Sequence, residues 1–380
     1  MYIAKIEIEN FRNFKKTEVV FNDGVNVIIG PNNTGKTNLI KALSLPIDYR
    51  GNKRLEVDDF NRDFTVEELK KNPPKIKISV IIKPGMNEEV DDLVTVSNWL
   101  TKLDASYEAK LTYEYFLPEK EVELYRLAMG DIKDPSMKEN VWKIIKHDFL
   151  RLYTYRVWGG HVENQNVADG ESLQKFDFQF LSAIRDVERD MLTGRNTLLR
   201  DVLDFFMDYD IKSKVDKSKE EKVTEIKIKK QSFSEQAEEL LTSLQDRMKS
   251  GKDQILSYAN ATGALISKAK PNFDGSISDV EMFSTLRLIV EYETGIKIPA
   301  THNGLGYNNL IFMSLLLAKM QVDSDGNYLG SNAKVFSTLA IEEPEAHLHP
   351  SMQYKFLKFL KENKDKKKVR QVFVTTHSRP

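Results

Sequence analysis

Eight consecutive residues, Gly30-Pro31-Asn32-Asn33-Thr34-Gly35-Lys36-Thr37, carry the spacing G-x-x-x-x-G-K-[ST]. That spacing suits one task, the wrapping of a nucleotide's phosphates by backbone N–H groups. Gly35 can take the dihedral angles that turn successive N–H groups inward. A helix starting at Lys36 adds the positive end of its dipole. Lys36 has the reach and charge for the β- and γ-phosphates, the Thr37 hydroxyl is a magnesium ligand, and Asn38 follows in the first helical turn. The flanks agree: Val25–Ile29 is a short apolar run suited to a buried strand, and Lys36–Leu43 puts Leu39, Ile40 and Leu43 on one face. A glycine turn that merely precedes Lys-Thr would need neither flank. The loop predicts ATP or GTP with magnesium and leaves kinases, GTPases and motor ATPases open.

A second group of reactive side chains lies near the other end. The apolar run Phe336–Ile341 ends in Glu342-Glu343-Pro344-Glu345. A carboxylate at a strand tip beside a phosphate loop can hold magnesium, and the next can orient and polarise an attacking water. Glu342 and Glu343 take those two roles. The bland alternative is a solvated acidic turn, and the Ala346-His347-Leu348-His349-Pro350 run that follows weighs against it. Between the two groups, Asn303-Gly304-Leu305-Gly306-Tyr307 opens a helix apolar on nearly every face. Two glycines at a helix N-terminus can make an anion site, although a plain loop-to-helix turn is spelled the same way.

The elements that must position these groups read as α/β. Residues 2–9 alternate as a strand, and Thr17–Phe21 is a second. Lys75–Lys83 and Leu111–Leu127 read as further strands, the latter a hairpin turning at Pro118-Glu119. Leu198–Met207 is helical in pattern. Residues 211–230, dense in Lys and Glu, read as a solvated linker or arm. Ser232 with Glu235 then spells a capping box, opening a helix that Gly251 ends. Strands follow at Leu286–Tyr292 and Ile296–Ala300, a helix from Tyr307 to Met320, a buried strand at Val335–Ile341, a helix from Pro350 and a last strand at Gln371–Thr376. The pattern is one nucleotide-binding domain split by a mainly helical insertion, its two halves meeting in one sheet. The expected boundaries are 1–185, 186–280 for the insertion, and 281–380.

With 380 residues, 41% of them hydrophobic and 30% charged, the chain can bury a large core beneath a charged surface. Its 56 basic and 57 acidic side chains cancel, so no global field announces a polyanionic partner. The absence of cysteine excludes disulfides and thiolate zinc sites. No signal-peptide core or membrane-length apolar run is present, so a cytoplasmic, membrane-free protein is expected. Asp323–Asn327 starts like a calcium loop without its closing glutamate. The lysine-rich tracts near 214–230 and 364–370 read as solvated charge before nucleic-acid contacts.

Four motifs occurring in order, Asn-Phe-Arg-Asn-Phe at 10–14, GPNNTGKTNLIKAL at 30–43, IEEPEAHLHP at 341–350 and VTTHS at 374–378, resemble the OLD-family ATPases. That family is related to the ABC-type heads of RecF and SMC proteins and includes the Gabija nuclease-ATPase. The resemblance implies an ABC-type P-loop head, a mixed β-sheet core with an antiparallel β-subdomain. It makes Glu342 the Walker B residue, Glu343 the catalytic carboxylate and His377 the switch histidine that addresses the γ-phosphate. Glu345 and His347 would lie in the D-loop along a dimer interface. Asn303, Gly304 and Gly306 would form the signature that reaches ATP on the other subunit, with Asn303 where Ser is usual. Arg12 would approach the nucleotide from the first strand's turn.

The resemblance further implies a homodimer or higher homo-oligomer, ATP and magnesium as cofactors, and control of a Toprim nuclease domain beyond residue 380, within anti-phage defence. DNA would then be met through the full-length protein, and a second defence protein could take part. The rival readings are a RecF- or SMC-like repair ATPase, a small-molecule P-loop kinase, and a nucleotide-gated scaffold with little hydrolysis.

Overall fold

The computed structural model describes residues 1–380 apart from 87, 105, 131–137, 183–197, 213, 215, 262–287, 300, 301, 303, 327–329, 345–349, 366–368 and 378–380. The chain divides into two compact units, Met1–Arg185 with Met320–Pro380, and Asp186–Lys319.

The first unit holds two sheets. The antiparallel one has the order β2 (Phe14–Val20), β1 (Tyr2–Phe11), β4 (Ile76–Lys83), β6 (Glu108–Phe116) and β5 (Leu100–Lys102), with β7 (Thr154–Gly159) also paired to β6. β2, at the edge, alternates between half-buried and exposed residues, whereas β4, between two neighbours, is buried at nearly every position. The second sheet is parallel, in the order β3 (Val25–Ile29), β12 (Gln371–Thr376), β11 (Phe336–Glu342) and β8 (Phe176–Leu181). β11 and β12 are buried along their whole length, as strands of a covered parallel sheet must be. This sheet is where the two ends of the chain meet: β3 and β8 come from the N-terminal part, β11 and β12 from the C-terminal part.

One buried side chain ties the sheets together. The Gln371 amide accepts from Ile3 N–H at 2.8 Å and donates to the Ile3 and Asn22 carbonyls at 3.0 and 3.1 Å. It satisfies backbone groups next to the β1–β4 register shift between Ile3 and Lys5, where the ladder cannot. The helix α1 (Lys36–Ile47) buries Leu39, Ile40, Ala42, Leu43, Leu45, Pro46 and Ile47. At its C-terminus the buried Lys53 ammonium donates to the Leu45 carbonyl and, at 3.4 Å, to that of Ser44. Burial lowers the Lys53 pKa to about 8, Asp48 opposing the shift and Lys41 adding to it.

The expected hairpin at 111–127 is not formed. The strand ends at Phe116 and a helix runs from Glu119 to Gly130. The alternation Val122-Glu123-Leu124 imitates a strand, but Tyr125 and Met129, four residues apart, are the buried pair while Leu124 and Leu127 stay exposed. The Tyr125 hydroxyl donates to the Leu69 carbonyl at 2.7 Å, which fixes the helical face.

The second unit contains helices at Leu198–Phe206, Tyr209–Lys212 and Lys219–Ala261, a small hairpin of β9 (Ile289–Glu291) and β10 (Lys297–Pro299), and most of the Leu305–Asp323 helix. The expected linker over 211–230 is mostly helix, and the expected start at Ser232 lies inside it. The capping box sits at Ser218 and Glu221 instead: Glu221 N–H donates to Ser218 Oγ at 3.2 Å, and Ser218 N–H to the Glu221 carboxylate at 2.8 Å. Lys and Glu are good helix formers without any apolar stripe, so charge density concealed the helix. Gly251 does not end it. An interior glycine costs roughly 1 kcal/mol, too little to stop a helix of 43 residues.

Candidate active site

The parallel sheet brings three catalytic candidates to the carboxyl ends of neighbouring strands. β12 lies between β3 and β11, with Thr376 opposite Ile29 and Thr375 opposite Glu342. The phosphate loop therefore leaves on one side of His377 and Glu343 leaves on the other. Gly30 N–H donates to the Thr376 carbonyl at 3.4 Å, and Glu343 N–H to that of Thr375 at 2.8 Å, so both flanks are pinned to β12 where it ends. Ligand sites in open parallel sheets form at this edge.

The side chains converge accordingly. The Lys36 ammonium donates to the Gly30 and Pro31 carbonyls at 2.7 and 2.9 Å and lies 3.2 Å from His377 Nδ1. His377 Nε2 bonds the Glu343 carboxylate. Nε2, facing a carboxylate, carries the hydrogen given to Glu343, while Nδ1 stands between a donor, the Lys36 ammonium, and an acceptor, the Gly30 carbonyl, each at 3.2 Å. The imidazole thereby links the loop's cation to the carboxylate across the sheet edge. His377 and Glu343 each keep about a third of their side chain open to solvent, at 34% and 33%. A substrate can reach them. Glu342, one residue earlier, is buried at the tip of β11.

Backbone strain gathers here. Among the described residues, six that are not glycine have positive φ, and Arg12 (47°), Asn33 (63°) and Glu343 (45°) are three of them. Left-handed backbone costs such residues of order 1–3 kcal/mol and persists where the surroundings impose it. At Glu343 the turn comes just after the strand and delivers the carboxylate to His377. At Gly35, φ is +96° and an added Cβ would stand 2.3 Å from Asn13 Nδ2. Only glycine fits.

Arg12 belongs to a polar brace against α1. Its Nη1 donates to Asn38 Oδ1 and its Nε to Asp59 Oδ1, both at 2.8 Å. Asn38 Nδ2 donates to Asn13 Oδ1 at 2.6 Å, and Asn13 Nδ2 to the Thr34 carbonyl at 3.4 Å. Thr34 Oγ1 closes the loop onto the Pro31 carbonyl at 2.9 Å. Sequence reading missed Asn13 and Asp59. Asn13 was legible in part, since it follows Arg12 in the Asn-Phe-Arg-Asn-Phe run. Asp59 carries no local signal, because its partnership with Arg12 spans 47 residues.

Gly304 and Gly306 stand at the start of the Leu305–Asp323 helix, in the second compact unit. Asn303, Glu345 and His347 lie outside the described residues. Among the described residues no cluster of three or more His, Asp or Glu forms a protein-only metal cage. No described helix is long and apolar enough to cross a membrane.

A family model described as AAA ATPase domain matches residues 1–379. Among curated proteins, the chain is 23% identical over 428 aligned positions to Endonuclease GajA of Bacillus cereus (strain HuB5-5), covering all of this chain and 58% of that protein. It is 29% identical over 126 residues to the DNA replication and repair protein RecF of Lactobacillus johnsonii, covering 31% of this chain and 32% of that one. The chain thus spans under two thirds of the length of these relatives. Among solved structures, the Smc head domain of Pyrococcus furiosus overlays loosely, with a TM-score of 0.44 and 14% identity over 99% of this chain and 90% of that one. The AAA ATPase domain match and the GajA alignment both run along essentially the whole chain, well beyond the four motifs.

Proposed function

The chain belongs to the AAA ATPase domain family, and from that premise we propose that it binds and hydrolyses ATP with magnesium at Gly30–Thr37. The observation that carries this reading is the convergence of Lys36, His377 and Glu343 on one sheet edge. Backbone N–H groups of residues 30–37 would cradle the phosphates, with Asn38 and Arg12 supporting the loop's far side. Thr37 and Glu342 offer a hydroxyl and a carboxylate oxygen, hard donors of the kind magnesium takes, the remaining positions falling to water and phosphate. Magnesium there would neutralise charge between the β- and γ-oxygens. Glu343 would orient the attacking water and accept its proton. His377, bonded to Glu343 through Nε2, would hold that carboxylate beside the γ-phosphate.

In this reading the protein works as a homodimer or higher homo-oligomer. Asn303, Gly304 and Gly306 of one subunit address the nucleotide on another, and Glu345 and His347 lie along the shared interface. The similarity to Endonuclease GajA supports a further step, in which nucleotide state governs a nuclease; DNA as its target, a cytoplasmic setting and defence against phage are what the OLD-family resemblance of the four motifs implies. The shorter RecF match supports the second reading, a repair ATPase without nuclease control. Mixing Lys36→Ala with Gly304→Asp subunits tests the shared site. Each variant alone should be inactive, and the mixture should regain up to a quarter or so of wild-type phosphate release, because only heterodimers hold one intact composite site. A mixture as inactive as its parts contradicts sharing.

A further inference from the structure

The first compact unit carries a cleft of about 530 Å³ to which neither the phosphate loop nor the Glu343–His377 pair contributes. Arg62, Lys138, Lys143 and Lys146 line it with Trp142, and Asp58 and Glu139 are the opposing carboxylates. One of these is already spent, since Asp58 pairs with Arg62 at 2.6 Å. The guanidinium of Arg62 also stacks over the Trp142 ring, 4.3 Å from its centre, an arrangement that holds its remaining donors in a fixed plane. Lys138, Trp142 and Lys146 recur every fourth residue, along the Lys138–Ile144 helix and into the π-helical turn Ile145–Phe149 that follows. Turns of that kind are rare and concentrate at functional sites. The Lys138 ammonium donates to the Arg62 carbonyl, which binds the two walls together. Trp142 is 94% buried, as its 6% exposure states, and its Nε1 has no hydrogen-bond partner among the described residues.

We propose that this cleft is a second anion site, separate from the phosphate loop, that takes a small molecule bearing two or more phosphate groups. Four cations against two carboxylates leave an excess positive charge in a concave space, where the field is focused. A volume within the roughly 300–1,000 Å³ range of small-molecule sites fits an oligophosphate better than a duplex. The indole N–H is itself buried, so the ligand's polar contacts fall to Arg62 and the three lysines. Position gives the site a consequence. Asp58 adjoins Asp59, whose carboxylate holds Arg12 at 2.8 Å, so an anion competing for Arg62 acts on the same short turn, Val57–Asp59, that braces the nucleotide loop.

The test uses sodium tripolyphosphate as probe and the Lys36→Ala chain, in which the phosphate loop is weakened as a rival site. Calorimetry and tryptophan fluorescence should show saturable binding with one molecule per chain. The exposed pair Lys143→Glu/Lys146→Glu should weaken it at least tenfold, and the milder Lys143→Gln/Lys146→Gln several-fold, with the melting temperature unchanged in the latter. Absence of saturable binding, or an affinity indifferent to both pairs, overturns the proposal. So does binding of a 20-nucleotide DNA strand through these lysines with none of tripolyphosphate. None of these outcomes depends on whether the phosphate loop turns ATP over.

Discussion

Replacing Gly35 by alanine isolates the geometry on which the nucleotide site rests. Two costs can be worked out. First, φ of +96° lies where side-chain-bearing residues are strained, at about 1–3 kcal/mol. Second, the new Cβ would stand 2.3 Å from Asn13 Nδ2 and 2.9 Å from its Cγ and Oδ1. Asn13 must move, giving up its bonds to Asn38 and to the Thr34 carbonyl, and such bonds are worth about 1 kcal/mol each. Because the loop can relax in part, the sum is taken as about 2–4 kcal/mol against the binding conformation, or about 30-fold to about 1,000-fold in affinity. The melting temperature should change little, since the loop is exposed and α1 is anchored by its buried face. Equilibrium titration with a fluorescent ATP analogue reads the effect. Asn13→Ala/Gly35→Ala should bind no worse than Gly35→Ala, as both changes remove the same contacts. Affinity within threefold of wild type for Gly35→Ala would refute the reasoning.

Other consequences are more local. Burial holds the Lys53 pKa at about 8 in the folded chain, below the ordinary lysine value of 10.5. Between those values the unfolded chain binds more protons, so this group's penalty is full below about pH 8 and is relieved as pH rises toward 10.5. Its ceiling is about 3 kcal/mol. Denaturant titrations of wild type and Lys53→Met at pH 7.5 and 9.5 should show the gap between the two proteins shifting in favour of wild type at the higher pH; a constant gap contradicts the assignment. Gly159→Ala places a Cβ 2.2 Å from Cδ1 of the buried Trp99, and should destabilise by about 1–3 kcal/mol, read as a lower melting temperature without loss of ATP affinity per folded molecule. Ser218→Ala removes the cap of the long helix and should cost about 1 kcal/mol; unchanged thermal stability would place the helix start elsewhere.

Legibility in the sequence followed locality. The phosphate loop could be read because strand, glycines and helix are contiguous, and β3 and β12 fall where their apolar runs end. Glu343 and His377 were legible as motif residues, yet their contact depends on β12 lying between β3 and β11, an order no local pattern states. The brace from Asp59 through Arg12 to Asn38 was invisible for the same reason. Two errors have a different origin. The first turns of Lys219–Ala261, before the expected start at Ser232, were hidden because a helix of Lys and Glu needs no apolar stripe, and Glu119–Gly130 because Val-Glu-Leu alternates while Tyr125 and Met129 do the packing.

The account's central claim is that Glu343 activates water at a site that Lys36 and the loop fill with ATP. Steady-state phosphate release from magnesium-ATP, measured beside nucleotide affinity for wild type and Glu343→Gln, tests it most directly. The amide keeps the size of the side chain but cannot take a proton, so turnover should fall by about 100-fold to about 10,000-fold while ATP affinity stays within a few-fold. Turnover equal to wild type in Glu343→Gln would contradict the claim.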